Sequence, residues 1–155
     1  MRANVQERKK KNKEETKPEP ETTIEETGEL AFEEKHNILF KPNKGPQTDF
    51  LAASEREVLY GGAAGGGKSY AMLADPLRYL AHPQFSGLLL RRTTEELREL
   101  VWKSQELYPK IIPGIKWSER KMQWTSPAGG RLWLSYLDRD DDVLRYQGLS
   151  FCWIG

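Results

Sequence analysis

The residues of this chain best suited to chemistry stand in one run, Gly62-Ala63-Ala64-Gly65-Gly66-Gly67-Lys68-Ser69. It fits G-x-x-x-x-G-K-[ST], a spacing that wraps a polyphosphate. Glycines carry no Cβ, so successive backbone N–H groups can turn inward and form an anion-binding concavity. Lys68 brings a positive charge with the reach for β- and γ-phosphates, and the Ser69 hydroxyl is placed to ligate Mg²⁺. Tyr70 follows in the first turn of a helix and is counted with the residues expected to touch a nucleotide. Hydrogen bonds to charged groups contribute about 1.5–3 kcal/mol each, so several converging on one triphosphate give micromolar binding. The bland alternative is a glycine-rich turn that happens to precede Lys-Ser.

Such a loop needs a strand to feed it and a helix to leave it. Glu57-Val58-Leu59-Tyr60 reads as a short buried strand. Residues 68–80 read as a helix with Tyr70, Met72, Leu73, Leu77 and Leu80 at its apolar positions, kinked or divided at Pro76. Its start at Lys68 sets the positive end of a helix dipole beneath the phosphates. Upstream, Ile38-Leu39-Phe40 opens the folded part, followed by a Pro/Gly-rich loop and a short helix from Thr48 to Ala53, capped by Thr48 or Asp49. Gln47 carries an amide donor and an acceptor, which suits the N6/N7 edge of adenine. Surface solvation is its other reading.

Beyond the loop, Gly87-Leu88-Leu89-Leu90-Arg91-Arg92 is an apolar run that ends in charge, as a buried parallel strand does when it emerges at a ligand-binding sheet edge. Arg91 and Arg92 are thereby placed near a nucleotide or a neighbouring subunit, or else they bond helix ends and carboxylates. Thr93-x-x-Glu96 makes a capping box, and Leu97, Leu100, Val101, Leu107 and Tyr108 follow at helical spacing, with Trp102 beside that stripe as a packing residue. From Lys116 the period becomes two. Trp117, Met122 and Trp124, a turn at Ser126-Pro127-Ala128-Gly129-Gly130, and Arg131-Leu132-Trp133-Leu134-Ser135-Tyr136-Leu137 predict a strand pair whose second member joins the core sheet. Its Trp, Lys and Arg residues suit either core packing or stacking on nucleic-acid bases. Asp138-Arg139-Asp140-Asp141-Asp142 matches no calcium-loop spacing and reads as the acidic start of a helical turn. Arg139 and Arg145 are candidates for a charge donor to a γ-phosphate. Phe151-Cys152-Trp153-Ile154-Gly155 reads as a further strand.

The 155 residues suffice for one domain and a tail: a disordered, charged arm over 1–36, where apolar residues are too sparse to offset ordering entropy, and a folded part over 37–155. The block Arg8-Lys9-Lys10-Lys11-Asn12-Lys13 in that arm is a phosphate or partner contact, or a solubilising tail. A net charge of +1 gives no global argument for nucleic acid, so a DNA partner would have to meet a local patch. A single cysteine, Cys152, leaves no disulfide framework within the chain and fits a reducing compartment. No apolar run approaches the roughly 20 residues of a membrane span, and residues 1–15 lack the apolar centre of a secretory signal. A soluble, cytoplasmic protein is expected.

The loop, the segment Pro46-Gln47-Thr48, the strand end Leu88-Leu89-Leu90-Arg91-Arg92-Thr93, Arg145-Tyr146-Gln147-Gly148 and the terminal strand together carry a family resemblance. Over about residues 38–155 the chain resembles the large terminase subunit of tailed bacteriophages, in its N-terminal ATPase half. The resemblance implies an α/β fold of the P-loop NTPase type (ASCE, RecA-like), a mostly parallel sheet flanked by helices. That sheet would be incomplete at its C-terminal end, because the family's acidic pair and its nuclease domain have no counterpart here. It also implies ATP and Mg²⁺ as cofactors, with Lys68 and Ser69 on phosphate and metal and Gln47 on adenine. Arg139 or Arg145 would serve a neighbouring subunit in a homo-oligomeric ring. The implied work is packaging double-stranded viral DNA into procapsids in the host bacterial cytoplasm, with portal protein and small terminase subunit as partners, the complete protein also cutting DNA concatemers. Many terminases carry an arginine inside the loop, where this chain has Ala and Gly, which turns attention to Arg91, Arg92, Arg139 and Arg145. Two other readings stay open: a helicase-like or other DNA-translocating ATPase, and a truncated, non-catalytic binding module.

Overall fold

The structure is a computed structural model that describes residues 38–62 and 65–155. The expected arm over 1–36, and Ala63 and Ala64 of the loop, lie outside the described residues. By its contacts the chain divides into Met1–Ile38 and Leu39–Gly155, and the fold below is that of the second unit.

Helix α1 (Pro46–Ala52) opens it, followed, with no strand among the described residues between them, by α2 (Lys68–Ala74) and a 3-10 turn (Asp75–Arg78). Then come β1 (Ser86–Arg91), the long helix α3 (Thr94–Ile111), β2 (Lys116–Ser118), β3 (Gln123–Thr125), β4 (Arg131–Tyr136), a second 3-10 turn (Asp140–Tyr146) and β5 (Trp153–Ile154). The strands form one sheet in the order β2-β3-β4-β1-β5. β1 is parallel to both β4 and β5, whereas β2–β3 and β3–β4 are antiparallel. The fold is therefore α/β, as expected, and the sheet is mixed: among the described strands β3 runs against the other four. The reason is local: residues 116–136 are joined by turns too short for the crossover a parallel neighbour requires.

The core follows from sequence periodicity. Leu88, Leu89, Leu132 and Leu134 of β1 and β4 are buried, as a strand covered on both faces requires. Against them α3 turns Leu97, Leu100, Val101, Leu107 and Tyr108, spaced at three and four residues. Thr93 starts α3 as predicted, its side chain accepting from the Glu96 N–H at 3.2 Å. Two buried polar groups are also satisfied here. Trp124 Nε1 donates to Ser104 Oγ at 2.9 Å, and the Ser104 hydroxyl donates to the Val101 carbonyl at 2.7 Å. Tyr108 donates its hydroxyl to the Leu73 carbonyl at 2.9 Å, pinning α2 to α3, and burial pushes its phenol well above the ordinary range. Gly130 is required by close approach, since a Cβ there would lie 2.3 Å from the Leu80 carbonyl oxygen.

Several expectations need correction. Residues 57–60 are not a buried strand: they take no part in the sheet, Leu59 is 98% exposed and Val58 43%. A strand needs a neighbour for its N–H and C=O groups, and none of the described strands lies alongside. The first helix starts earlier than predicted, with Pro46 at its first turn, and its N-cap is Gly45, without a side-chain cap bond. Thr48 instead donates its hydroxyl to the Asn43 carbonyl. Pro76 does divide the helix after the loop, which passes into the 3-10 turn at Asp75. Trp102, expected to pack, is 63% exposed on α3. Among the described residues no helix is long and apolar enough to cross a membrane.

Candidate functional site

Three glycines of the loop adopt conformations that removal of Cβ permits, Gly62 at φ +139°, Gly65 at +86° and Gly67 at +73°. The loop is held from three directions. Tyr60, stacked on Phe50 with ring centroids 5.0 Å apart, donates its hydroxyl to the Gly66 carbonyl at 2.7 Å. Gln47, buried beneath, donates Nε2–H to the Gly67 carbonyl at 2.9 Å, and its Oε1 accepts from the Asn43 N–H at 2.6 Å. Lys68 reaches back to the Gly62 carbonyl, Nζ to oxygen 2.7 Å.

Gln47 thus lies next to the loop, as its place in the sequence suggested, but both ends of its amide are engaged within the protein. Contact with adenine would have to use its second N–H and second lone pair, and the side chain is buried in this structure. Sequence reading could not separate the two uses, because a carboxamide offers the same donor and acceptor to a base edge and to a backbone.

Ser69 is met from the sheet. β1 ends at Arg91, whose Nη2 donates to Ser69 Oγ at 3.0 Å. The parallel register that sets Arg91 opposite Tyr136 puts both at the C-terminal end of their strands. Arg145 stands at the same end: its guanidinium lies 5.7 Å from the Tyr136 ring centroid and 2.8 Å from an Asp142 oxygen. The hydrogen bond to Tyr136 and the Asp142 charge raise its pKa further above the usual arginine value. Arg139 and Arg92 are exposed. The backbone N–H of Arg139 donates to Asp142. Of the four arginines singled out, only Arg91 is bonded to a residue of the Gly62–Ser69 run among the described residues. Tyr70 is 37% exposed, with the Lys103 ammonium 5.5 Å from its ring centroid.

A cleft of about 930 Å³ opens beside these groups, lined among others by Tyr60, Lys68, Asp75, Arg91, Trp153 and Gly155. It runs between the irregular segment 53–60 and strands β1 and β5. Its buried carboxylate, Asp75, is already engaged, paired with Arg78 and accepting from Trp153 Nε1 at 2.7 Å. That bond ties β5 to the end of α2, and sequence gave no sign of it because the partners lie 78 residues apart. The acidic cluster behaves as an N-terminal cap: Asp142 Oδ2 accepts from the N–H groups of Asp138 and Arg139, at 3.0 and 3.1 Å. Among the described residues no group of three His, Cys, Asp or Glu is arranged to hold a metal ion.

No protein-family model, no curated protein and no solved structure matches the chain.

Proposed function

We propose that this chain binds a nucleoside triphosphate with Mg²⁺ at the loop running from Gly62 to Ser69, and that it is the ATPase part of a DNA-packaging motor of the phage large-terminase type. The observation carrying the first half is the convergence of Lys68, Ser69 and Arg91 on a loop in which Gly62, Gly65 and Gly67 have positive φ. The donor set fits a metal–triphosphate: glycine-rich backbone amides for bridging oxygens, an ammonium for the β- and γ-phosphates, and a hydroxyl oxygen for the metal. Bound there, Mg²⁺ would neutralise charge developing between the β- and γ-phosphates. The residues' own work is to orient the phosphate chain and to exclude water from its protein-facing side.

The second half, with double-stranded viral DNA, portal protein and small terminase subunit as partners in a homo-oligomeric ring in a bacterial cytoplasm, rests on the segments named in the sequence. In such a ring the exposed Arg139 and Arg145 would be available to a neighbouring subunit's γ-phosphate, where a supplied arginine accelerates hydrolysis by about 10³–10⁵-fold. One observation favours the non-catalytic reading for these residues by themselves: the buried carboxylate of the cleft is held by Arg78 and Trp153. Nucleotide binding with little turnover is therefore expected.

The test is calorimetric titration of the chain with Mg·ATP, beside Lys68→Ala and a phosphate-release assay. Binding that Lys68→Ala abolishes supports the reading. Equal affinity in both proteins would remove the loop from function, and turnover at the rate of other P-loop motors would remove the non-catalytic reading.

A further inference from the structure

Arg91 has no part in the loop motif, yet it is the side chain that reaches the motif from the sheet. It closes β1, is half-buried, and donates to Ser69 Oγ at 3.0 Å across 22 residues of sequence. A serine hydroxyl offers two lone pairs and one proton. The oxygen assigned above to the metal is thus the oxygen that carries the guanidinium in this structure. A divalent cation and a guanidinium repel each other at such a distance, so arrival of one requires withdrawal of the other.

We propose that Arg91 is the specificity-determining residue for the terminal phosphate: when a metal–triphosphate enters, its guanidinium leaves Ser69 Oγ and takes up oxygens of the third phosphoryl group. The proposal rests on the triphosphate reading above and deepens it. Position argues for the outer end of the phosphate chain rather than its nucleoside end. Ser69 would hold the metal, which would supply positive charge to the outer phosphates, and a cation within hydrogen-bonding distance of Ser69 Oγ would have those phosphates within reach once it left the hydroxyl. Chemistry argues for arginine, whose planar fork is permanently charged and can grip two oxygens of one phosphoryl group. The competitors are placed less well. Arg92 follows Arg91 at the strand end, where successive side chains point to opposite faces. Arg145 is paired with Asp142 and lies over Tyr136. A diphosphate leaves Arg91 without its new partner, so the guanidinium stays on Ser69.

The structure therefore assigns to Arg91 the preference for triphosphate over diphosphate, and to Lys68 the affinity for both. The experiment titrates the full chain, in Mg²⁺, with ATP and ADP and with tripolyphosphate and pyrophosphate, the last two removing any contribution from the base. Arg91→Ala should weaken ATP and tripolyphosphate by about tenfold or more, equivalent to about 1.4 kcal/mol, and leave ADP and pyrophosphate near their wild-type affinities. Lys68→Ala should weaken all four. Arg91→Gln keeps a donor for Ser69 without the charge, so it guards against a folding defect in the alanine protein and should lose the same preference. Equal weakening of the tri- and diphosphate ligands, or an undiminished preference for triphosphate in Arg91→Gln, would overturn the proposal while the loop stands. Unaltered binding in Lys68→Ala would overturn the loop reading and Arg91's role with it.

Discussion

Gly67 shows how narrow the tolerance of the site is for a single atom. It sits at φ +73°, and a Cβ there would lie 2.8 Å from Gln47 Nε2. Both effects act against Gly67→Ala. The left-handed conformation costs a non-glycine residue roughly 1–2 kcal/mol, and Gln47 must withdraw from the Gly67 carbonyl. We expect a fall in stability of about 1–3 kcal/mol, read by urea denaturation, together with loss of nucleotide binding. A protein of wild-type stability would show that Gln47 does not brace the loop. At this scale the sequence was informative in one direction only. Spacing set Lys68 and Ser69 apart as candidates for a phosphate site, and the Lys68 bond to Gly62 and the Arg91 bond to Ser69 came from the fold. Arg91 was legible as a charge at a strand end but not as the partner of Ser69. Gln47 was legible as a neighbour of the loop but not as its support.

Elements with their own periodicity could be read with most success. β1 and α3 carry signals that survive any tertiary context: a continuous apolar run and a stripe at three and four residues. The segment 57–60 carries an equally good strand signal but lies outside the sheet, because strand formation depends on a neighbouring backbone that local sequence does not contain. The acidic turn is a middle case, since its capping role was readable while its reliance on Asp142 was not. The Arg139 N–H above all, with the Asp138 N–H and the Arg145 charge, lowers the Asp142 pKa. A carboxylate with a depressed folded-state pKa contributes stability above its unfolded value and loses it as pH falls through the folded one. The wild type should therefore melt at a higher temperature than Asp142→Ala at neutral pH, and the gap should close as pH falls below about 4. A gap that persists in acid would mean that the side chain acts through packing.

Across the whole unit, the two ends of the sheet differ in how they are held. β2, β3 and β4 follow one another along the chain, whereas β5 pairs with β1 through only two residues. Local opening should follow that difference. The amides of Cys152 and Gly155, bonded to the Ser86 and Leu88 carbonyls, should exchange with deuterium faster than the Leu134 amide, bonded to the Met122 carbonyl. Equal protection would show the sheet opening as one cooperative body. The same asymmetry reaches the site through α2. No strand ladder fixes this helix. It is located by the buried Ala71 and Leu73, by the Tyr108 bond to Leu73, by the Arg91 bond to Ser69, and by the Trp153 bond to Asp75 just past its end. A backbone ladder changes register only in whole steps, and every residue of the strand turns over with it. A helix suspended from side chains can instead be shifted by small amounts, one substitution at a time, while the sheet stays intact. Descent with modification would then have room to adjust where Lys68 and Ser69 stand without first unmaking the fold.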